Sequence, residues 1–183
     1  MKVVPAALPD VLIFEPGVFE DERGFFFESF NQRKFDTAVG QHVEFVQDNH
    51  SRSQRGVLRG LHYQLPPRAQ GKLVRVTSGR VFDVAVDMRR SSATFGRWTG
   101  IELSETNRRQ LWIPVGFAHG FLVLSEAADF LYKTTDYYAP AMEVTIRWDD
   151  PQIAIAWPEP LEIVQLSGKD RNAQSLCDAA AFS

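Results

Sequence analysis

The apolar residues of this chain come in short runs rich in Val, Ile, Phe and Trp. Polar residues alternate with them, and Gly or Pro interrupts at intervals of roughly 8–12 residues. A period of two sends successive side chains to opposite faces of a strand, whereas an amphipathic helix repeats at about 3.6 residues. The pattern predicts strands over Val11–Phe14, Phe25–Phe30, Val43–Asn49, Val57–Gln64, Lys72–Thr77, Arg80–Asp87, Trp98–Leu103, Gln110–Ile113, Phe121–Leu124, Ala128–Thr134, Glu143–Trp148 and Ile153–Trp157. One short helix is expected from Asn31, a good cap, through Lys34 to Val39, with Gly40 as its stop. So many strands with so little helix leave no room for a βαβ fold. The expectation is an all-β sandwich or barrel.

A core is within reach of a chain of 183 residues with 44% hydrophobic content and 14 Phe, so one domain is expected over 1–183. The Ala-rich tail 172–183 is expected to be helical or frayed. The net charge of −3 comes from 20 basic and 23 acidic residues, without the basic block that nucleic acid would require. Pro5, Pro9 and Asp10 break every apolar run in Met1–Phe14, so neither a secretion signal nor a membrane span is expected there. The single Cys177 has no internal disulfide partner, which agrees with a reducing, cytoplasmic setting.

Several predicted strands carry polar groups on a face that also holds apolar ones. Gln47 and Asn49 share a face with Val43 and Phe45, and Glu28 lies between Phe26 and Phe30. Lys72 shares a face with Val74 and Val76, as Asp83 does with Val81 and Ala85. A barrel with an apolar floor and a polar mouth explains all of these together. Solvated faces of an antiparallel sheet are the alternative.

Gly56-Val-Leu-Arg-Gly-Leu-His62 and, far downstream, Pro114-Val-Gly-Phe-Ala-His119 resemble the two signature motifs of the cupin family of small jelly-roll β-barrels. Metal-binding cupins continue the first motif with a second His and then a Glu. Here Gln64 stands at the second His position, and counting back from Gly79 to the place of the Glu reaches Lys72. A divalent ion needs more N and O ligands than His62 and His119 provide, so no metal is expected. A polar barrel in which His faces Lys suits carbanion chemistry beside a carbonyl. A neutral imidazole takes a proton from carbon, and a cation holds the enolate oxygen. Inverting a stereocentre also needs an acid on the opposite side of the ring, and the phenol of Tyr132 fits that part.

The match then becomes closer. Asp21-Glu-Arg23-Gly-Phe-Phe-Phe-Glu28, Gln47-Asp48-Asn49-His-Ser, Gln70-Gly-Lys72, Phe82-Asp83-Val-Ala-Val-Asp87, Thr94-Phe-Gly-Arg-Trp98, Tyr132-Lys and Lys169-Asp170 join the two motifs above in an order that resembles the dTDP-4-dehydrorhamnose 3,5-epimerase family from about Pro9 to Arg171. The resemblance implies a cupin-like jelly roll with short helical segments. It also implies an isomerase that inverts C3 and C5 of dTDP-4-keto-6-deoxy-D-glucose without a cofactor. His62 takes the place of the general base, Asp170 of its orienting partner with Asp83 as the second choice, Tyr132 of the acid, and Lys72 of the enolate stabiliser. Arg59 and His119 match sugar and phosphate contacts. Arg23 matches a diphosphate fork and Lys169 a nearby point charge. Glu28, Gln47, Asp48 and Asn49 fall among the thymidine contacts, Tyr138 matches the ring that stacks on thymine, and Glu143 matches a further ligand contact. Arg59 and His62 have opposite parity, so a bulge or sharp turn is expected at Gly60 if both face the pocket.

The resemblance further implies a homodimer in which an N-terminal segment carrying Arg23 and Glu28 serves the neighbouring barrel. Alternatives are an epimerase acting at one carbon or on a related 4-keto sugar nucleotide, a silent nucleotide-sugar binder, and a metal-dependent dioxygenase on the same barrel. Binding alone does not require an acid and a base on opposite sides, and the missing ligands disfavour the last.

Overall fold

The structure is a computed structural model and describes residues 1–158 and 164–183. The strands in chain order are β1 (Lys2–Pro5), β2 (Leu12–Glu15), β3 (Phe19–Asp21), β4 (Gly24–Phe26), β5 (Gln47–Gln54), β6 (Leu58–Gln64) and β7 (Lys72–Ser78). They continue with β8 (Arg80–Asp87), β9 (Trp98–Ser104), β10 (Gln110–Ile113), β11 (Phe117–Val123), β12 (Ala127–Thr134) and β13 (Glu143–Thr145). Helix α1 (Gln32–Val39) precedes β5, and the single turn α2 (Gly168–Arg171) follows β13.

Two antiparallel sheets face each other. One has the order β1-β2-β10-β7-β12-β5, the other β13-β6-β11-β8-β9, and β3-β4 forms a separate hairpin. This is the expected all-β, cupin-like jelly roll. Strands adjacent in space but distant in sequence, such as β7 beside β12, close the sandwich. The interior holds Val74, Val76, Val81, Ala85, Phe121 and Phe130, so the mixed faces of β7 and β8 do turn inward. Burial of these side chains contributes roughly 1.5–3 kcal/mol each for the larger ones.

Helix α1 has the expected ends. The Asn31 side chain accepts from the Lys34 N–H, and Gly40 closes the helix at φ 82°. Only a residue without a Cβ adopts that left-handed conformation freely.

Several boundaries differ from expectation. The segment Phe25–Phe30 forms a strand only over β4, and Glu28 beyond it pairs with Lys34 at 2.8 Å. The strand expected at Val43 begins at Gln47, and Val43 and Phe45 instead pack with Phe35 and Trp112. Ile153–Trp157 is not a strand, because the buried Asp150 accepts from the Gln152, Ile153 and Leu176 N–H groups and folds the segment into turns. The tail is neither helical nor frayed. Gln174 bridges to Ile146 and Phe182 to Arg89, the Tyr63 hydroxyl donates to the Ala180 carbonyl, and Ala179 is buried.

Candidate active site

Both sheets contribute to one cavity of about 350 Å³ at an end of the interior. The larger sheet sends in Gln47, Asn49 and Ser51 from β5, Lys72 from β7, and Phe130, Tyr132 and Thr134 from β12. The alternation of β5 and β12 explains these sets, since Asn49 lies opposite Tyr132 and Gln47 opposite Thr134. The smaller sheet supplies Arg59 and His62 from β6 and His119 and Phe121 from β11. Gln70, Tyr138, Glu143 and Lys169 complete the lining.

Arg59 and His62 reach the same cavity because β6 carries an extra residue. Phe121 pairs with Arg59 and His119 with His62, so three steps on β6 match two on β11. Gly60 occupies this bulge at φ 120°, and a Cβ there would lie 2.6 Å from the Gly120 Cα. Gly60→Ala is therefore expected to destabilise the fold by about 3 kcal/mol or more, combining left-handed strain with a backbone clash. Thermal unfolding checks this, and a melting temperature lowered by less than about 4 °C would contradict it.

His62 stands between two systems of contacts. Its Nε2 lies 2.6 Å from Asp170 Oδ1, and Asp170 is held in turn by the Ser167 hydroxyl, which donates to Oδ2 at 2.7 Å. Burial lowers the His62 pKa, outweighing the opposing pull of Asp170. Burial works to raise the Asp170 pKa, but the hydrogen bonds from His62 and Ser167 hold it below the usual range. An ionised Asp170 beside a neutral His62 follows. The Nε2–H then donates to Asp170, leaving Nδ1 as the basic lone pair.

Lys72 is buried, and its ammonium donates to the His62 carbonyl at 3.1 Å. Burial pushes its pKa down to about 8, with Glu143 and Asp83 acting in the opposite direction. Burial likewise raises the pKa of Tyr132, so the phenol keeps its proton. His62 and Tyr132 belong to opposing sheets and face one cavity. At the mouth, Glu143 accepts from Lys169 at 2.7 Å and from the Tyr138 hydroxyl at 3.1 Å. Arg59 donates through Nε to Ser53 at 3.0 Å.

The cavity thus gathers His62, Lys72, Tyr132, Arg59, His119, Gln47, Asn49, Tyr138, Glu143 and Lys169, with Asp170 directly behind His62. Three expected site residues lie elsewhere. Asp48 has the opposite parity to Gln47 and Asn49, so it points to the outer face and pairs with Lys133 at 2.8 Å. Arg23 sits on the exposed β3-β4 hairpin against Asp21, and Glu28 is held by Lys34 and Asn31. Asp83, the second choice as partner of His62, instead accepts from His119 at 2.9 Å. Ser51 and Thr134 were not singled out from the sequence, although parity with Asn49 and Tyr132 marks both.

Gln64 stands where a metal-binding cupin has its second His. Its side chain donates to the Arg68 and Tyr137 carbonyls and accepts from the Ala139 N–H. Among the described residues no group of three or more His, Cys, Asp or Glu side chains is placed to hold a metal ion. No helix among them is long and apolar enough to cross a membrane.

Comparison with known proteins gives one pattern. The family model described as dTDP-4-dehydrorhamnose 3,5-epimerase matches residues 5–178. The chain is 62% identical over 185 residues to the dTDP-4-dehydrorhamnose 3,5-epimerase of Pseudomonas aeruginosa, covering 100% of this chain and 99% of that one. It resembles the crystal structure of the dTDP-6-deoxy-D-glucose-3,5-epimerase of Legionella pneumophila in complex with dTDP-4-keto-L-rhamnose. There the TM-score is 0.93 with 55% identity, over 96% of this chain and 93% of that one. The dTDP-4-dehydrorhamnose 3,5-epimerase structure from Elizabethkingia anophelis also gives 0.93, at 49% identity over 97% of both chains.

Proposed function

This chain belongs to the dTDP-4-dehydrorhamnose 3,5-epimerase family, and from that premise we propose how its cavity performs the reaction. The enzyme is an isomerase that converts dTDP-4-dehydro-6-deoxy-D-glucose to dTDP-4-dehydro-L-rhamnose, inverting the two carbons beside the C4 ketone in dTDP-rhamnose biosynthesis.

The observation that supports the mechanism best is the pairing of a neutral, carboxylate-backed His62 on one sheet with a protonated Tyr132 on the other. His62 Nδ1 removes the proton from the carbon next to the ketone. The C–H electron pair moves into the ring to give an enolate, whose oxygen is held by the Lys72 ammonium. Tyr132 then delivers a proton to the same carbon from the opposite side, and the ketone reforms. The imidazolium and phenolate left behind exchange with solvent before the next carbon is processed. Asp170 keeps the imidazole oriented and stabilises its charged form.

Arg59 serves as a fork for the diphosphate, and His119 as a contact to the sugar. Tyr138, which is 54% exposed, offers a ring face to thymine, while Gln47 and Asn49 supply amide groups for its edge and for deoxyribose. Arg23 and Glu28 belong to the neighbouring cavity of a homodimer. The β3-β4 hairpin supports this, since Phe19, Phe25 and Phe26 are all exposed on it. The setting is cytoplasmic.

NMR of dTDP-4-keto-6-deoxyglucose incubated with the enzyme in heavy water tests the whole reading. Deuterium is expected at both C3 and C5 of a product with both centres inverted. Label and inversion at only one carbon would make the chain a mono-epimerase.

A further inference from the structure

Among the described residues that line the cavity, Glu143 is the only carboxylate, and both of its oxygens are engaged. Helix α2 is a single turn, too short to hold its shape unaided. Among the described residues, its ties include the Ser167 cap, the Asp170–His62 contact, the Gly60 N–H bond to Asp170 and the Lys169–Glu143 ion pair. The ion pair fastens α2 to β13, and β13 pairs with β6 through Thr145 and His62. Lys169 lines the same cavity as His62, and its charge acts on the imidazole that must accept a proton.

We propose that Glu143 is a positioning residue for the proton-abstracting pair: by holding Lys169 it balances the ammonium beside His62 and fixes the turn that carries Asp170. This rests on the reading of His62 as the base. Among the described residues, the charged and titratable groups around His62 are Asp170 and Lys169 from α2, Glu143 from β13, Lys72 from β7, His119 from β11, Tyr132 from β12, Tyr138 in the loop after it, and Arg59 on its own strand. Lys169 is the cation among them that has a carboxylate as its direct partner. The effect through Lys169 agrees in sign with its field at His62, which disfavours the imidazolium. Lys169 is half-exposed, so solvent screens the pair and the effect is modest.

The test is the pH dependence of kcat/KM for wild type, Glu143→Gln, Lys169→Met and the double variant. Activity falls at low pH as His62 gains a proton. In Glu143→Gln this limb is expected to move about 0.5–1 unit lower, because the ammonium is left unbalanced and the carboxylate's own charge near His62 is gone. In Lys169→Met it is expected to move higher by a similar amount, and in the double variant to return near wild type. A limb unmoved in both single variants, or moved the same way in both, overturns the proposal. So does a tenfold rise in KM for Glu143→Gln with the limb in place, which would make Glu143 a plain substrate contact. Should Glu143→Gln fail to fold, the direction of the shift in Lys169→Met decides alone. Failure of the underlying reading is separate: it shows as retained proton exchange in His62→Ala, whatever the limbs do.

Discussion

Replacing Lys72 with Met is expected to leave a protein that is more stable than wild type and nearly inactive. The side chain is 8% exposed, and burial brings its pKa from 10.5 to about 8. Its folded pKa lies below its unfolded one, so between those values the unfolded chain binds more protons and stability rises with pH. Below about pH 8 the buried ammonium therefore costs the full difference, on the order of 3 kcal/mol. Met removes that penalty but leaves the His62 carbonyl without its donor, a loss of about 1 kcal/mol. The net gain is about 1–3 kcal/mol, or about 3–10 °C in melting temperature at pH 7. Activity moves the other way, with kcat down about 10²–10³-fold as the enolate loses its cation. In wild type, kcat/KM is expected to fall as pH rises past about 8. A Lys72→Met variant that is destabilised, or that keeps most of its activity, would contradict this role.

His62→Ala is expected to abolish deuterium uptake at both C3 and C5 and to lower kcat by about 10²–10⁴-fold. Few neighbours can replace the imidazole. Lys72 is cationic at neutral pH and held at the His62 carbonyl, Asp170 lies behind the ring, and His119 is engaged with Asp83. The substitution also removes the partner that keeps Asp170 below the usual carboxylate range. An Asp with a depressed folded pKa stabilises the protein above its unfolded pKa, and that contribution fades as pH falls through the folded value. His62→Ala should therefore lose stability at pH 7 and show less further loss on acidification. Exchange at the wild-type rate would remove His62 from the role of base.

The sheet framework was legible because its strands bury one face, and parity then sorted the site. Gln47 and Asn49 turn inward and Asp48 turns outward by the same rule, although the sequence motif groups all three. The same rule pointed to Gly60, since Arg59 and His62 can share a cavity only if the strand gains a residue between them. Strands β1 and β3 went unread. Proline ends the first, and all three residues of the second are exposed, so neither shows the half-buried alternation that marks a strand. Ile153–Trp157 shows that alternation, but Asp150 satisfies its backbone in turns instead. Which aspartate serves which histidine depends on strand order and on where α2 docks. The resemblance ranks Asp170 ahead of Asp83 as the partner of His62, and the contacts follow that ranking, since β8 lying beside β11 gives Asp83 to His119. Arg23 on the β3-β4 hairpin and Glu28 beyond it both lie outside this chain's own cavity, as the parity of single strands cannot foresee.

The claim on which the mechanism depends is that proton removal and proton return are performed by different groups on opposite sides of the ring. Tyr132→Phe separates the two steps. Turnover in heavy water with carbon-resolved NMR should show deuterium entering beside the ketone with the original configuration retained, and little inverted product. Inverted product at the wild-type rate, or no exchange at either carbon, would contradict the assignment of base and acid to His62 and Tyr132.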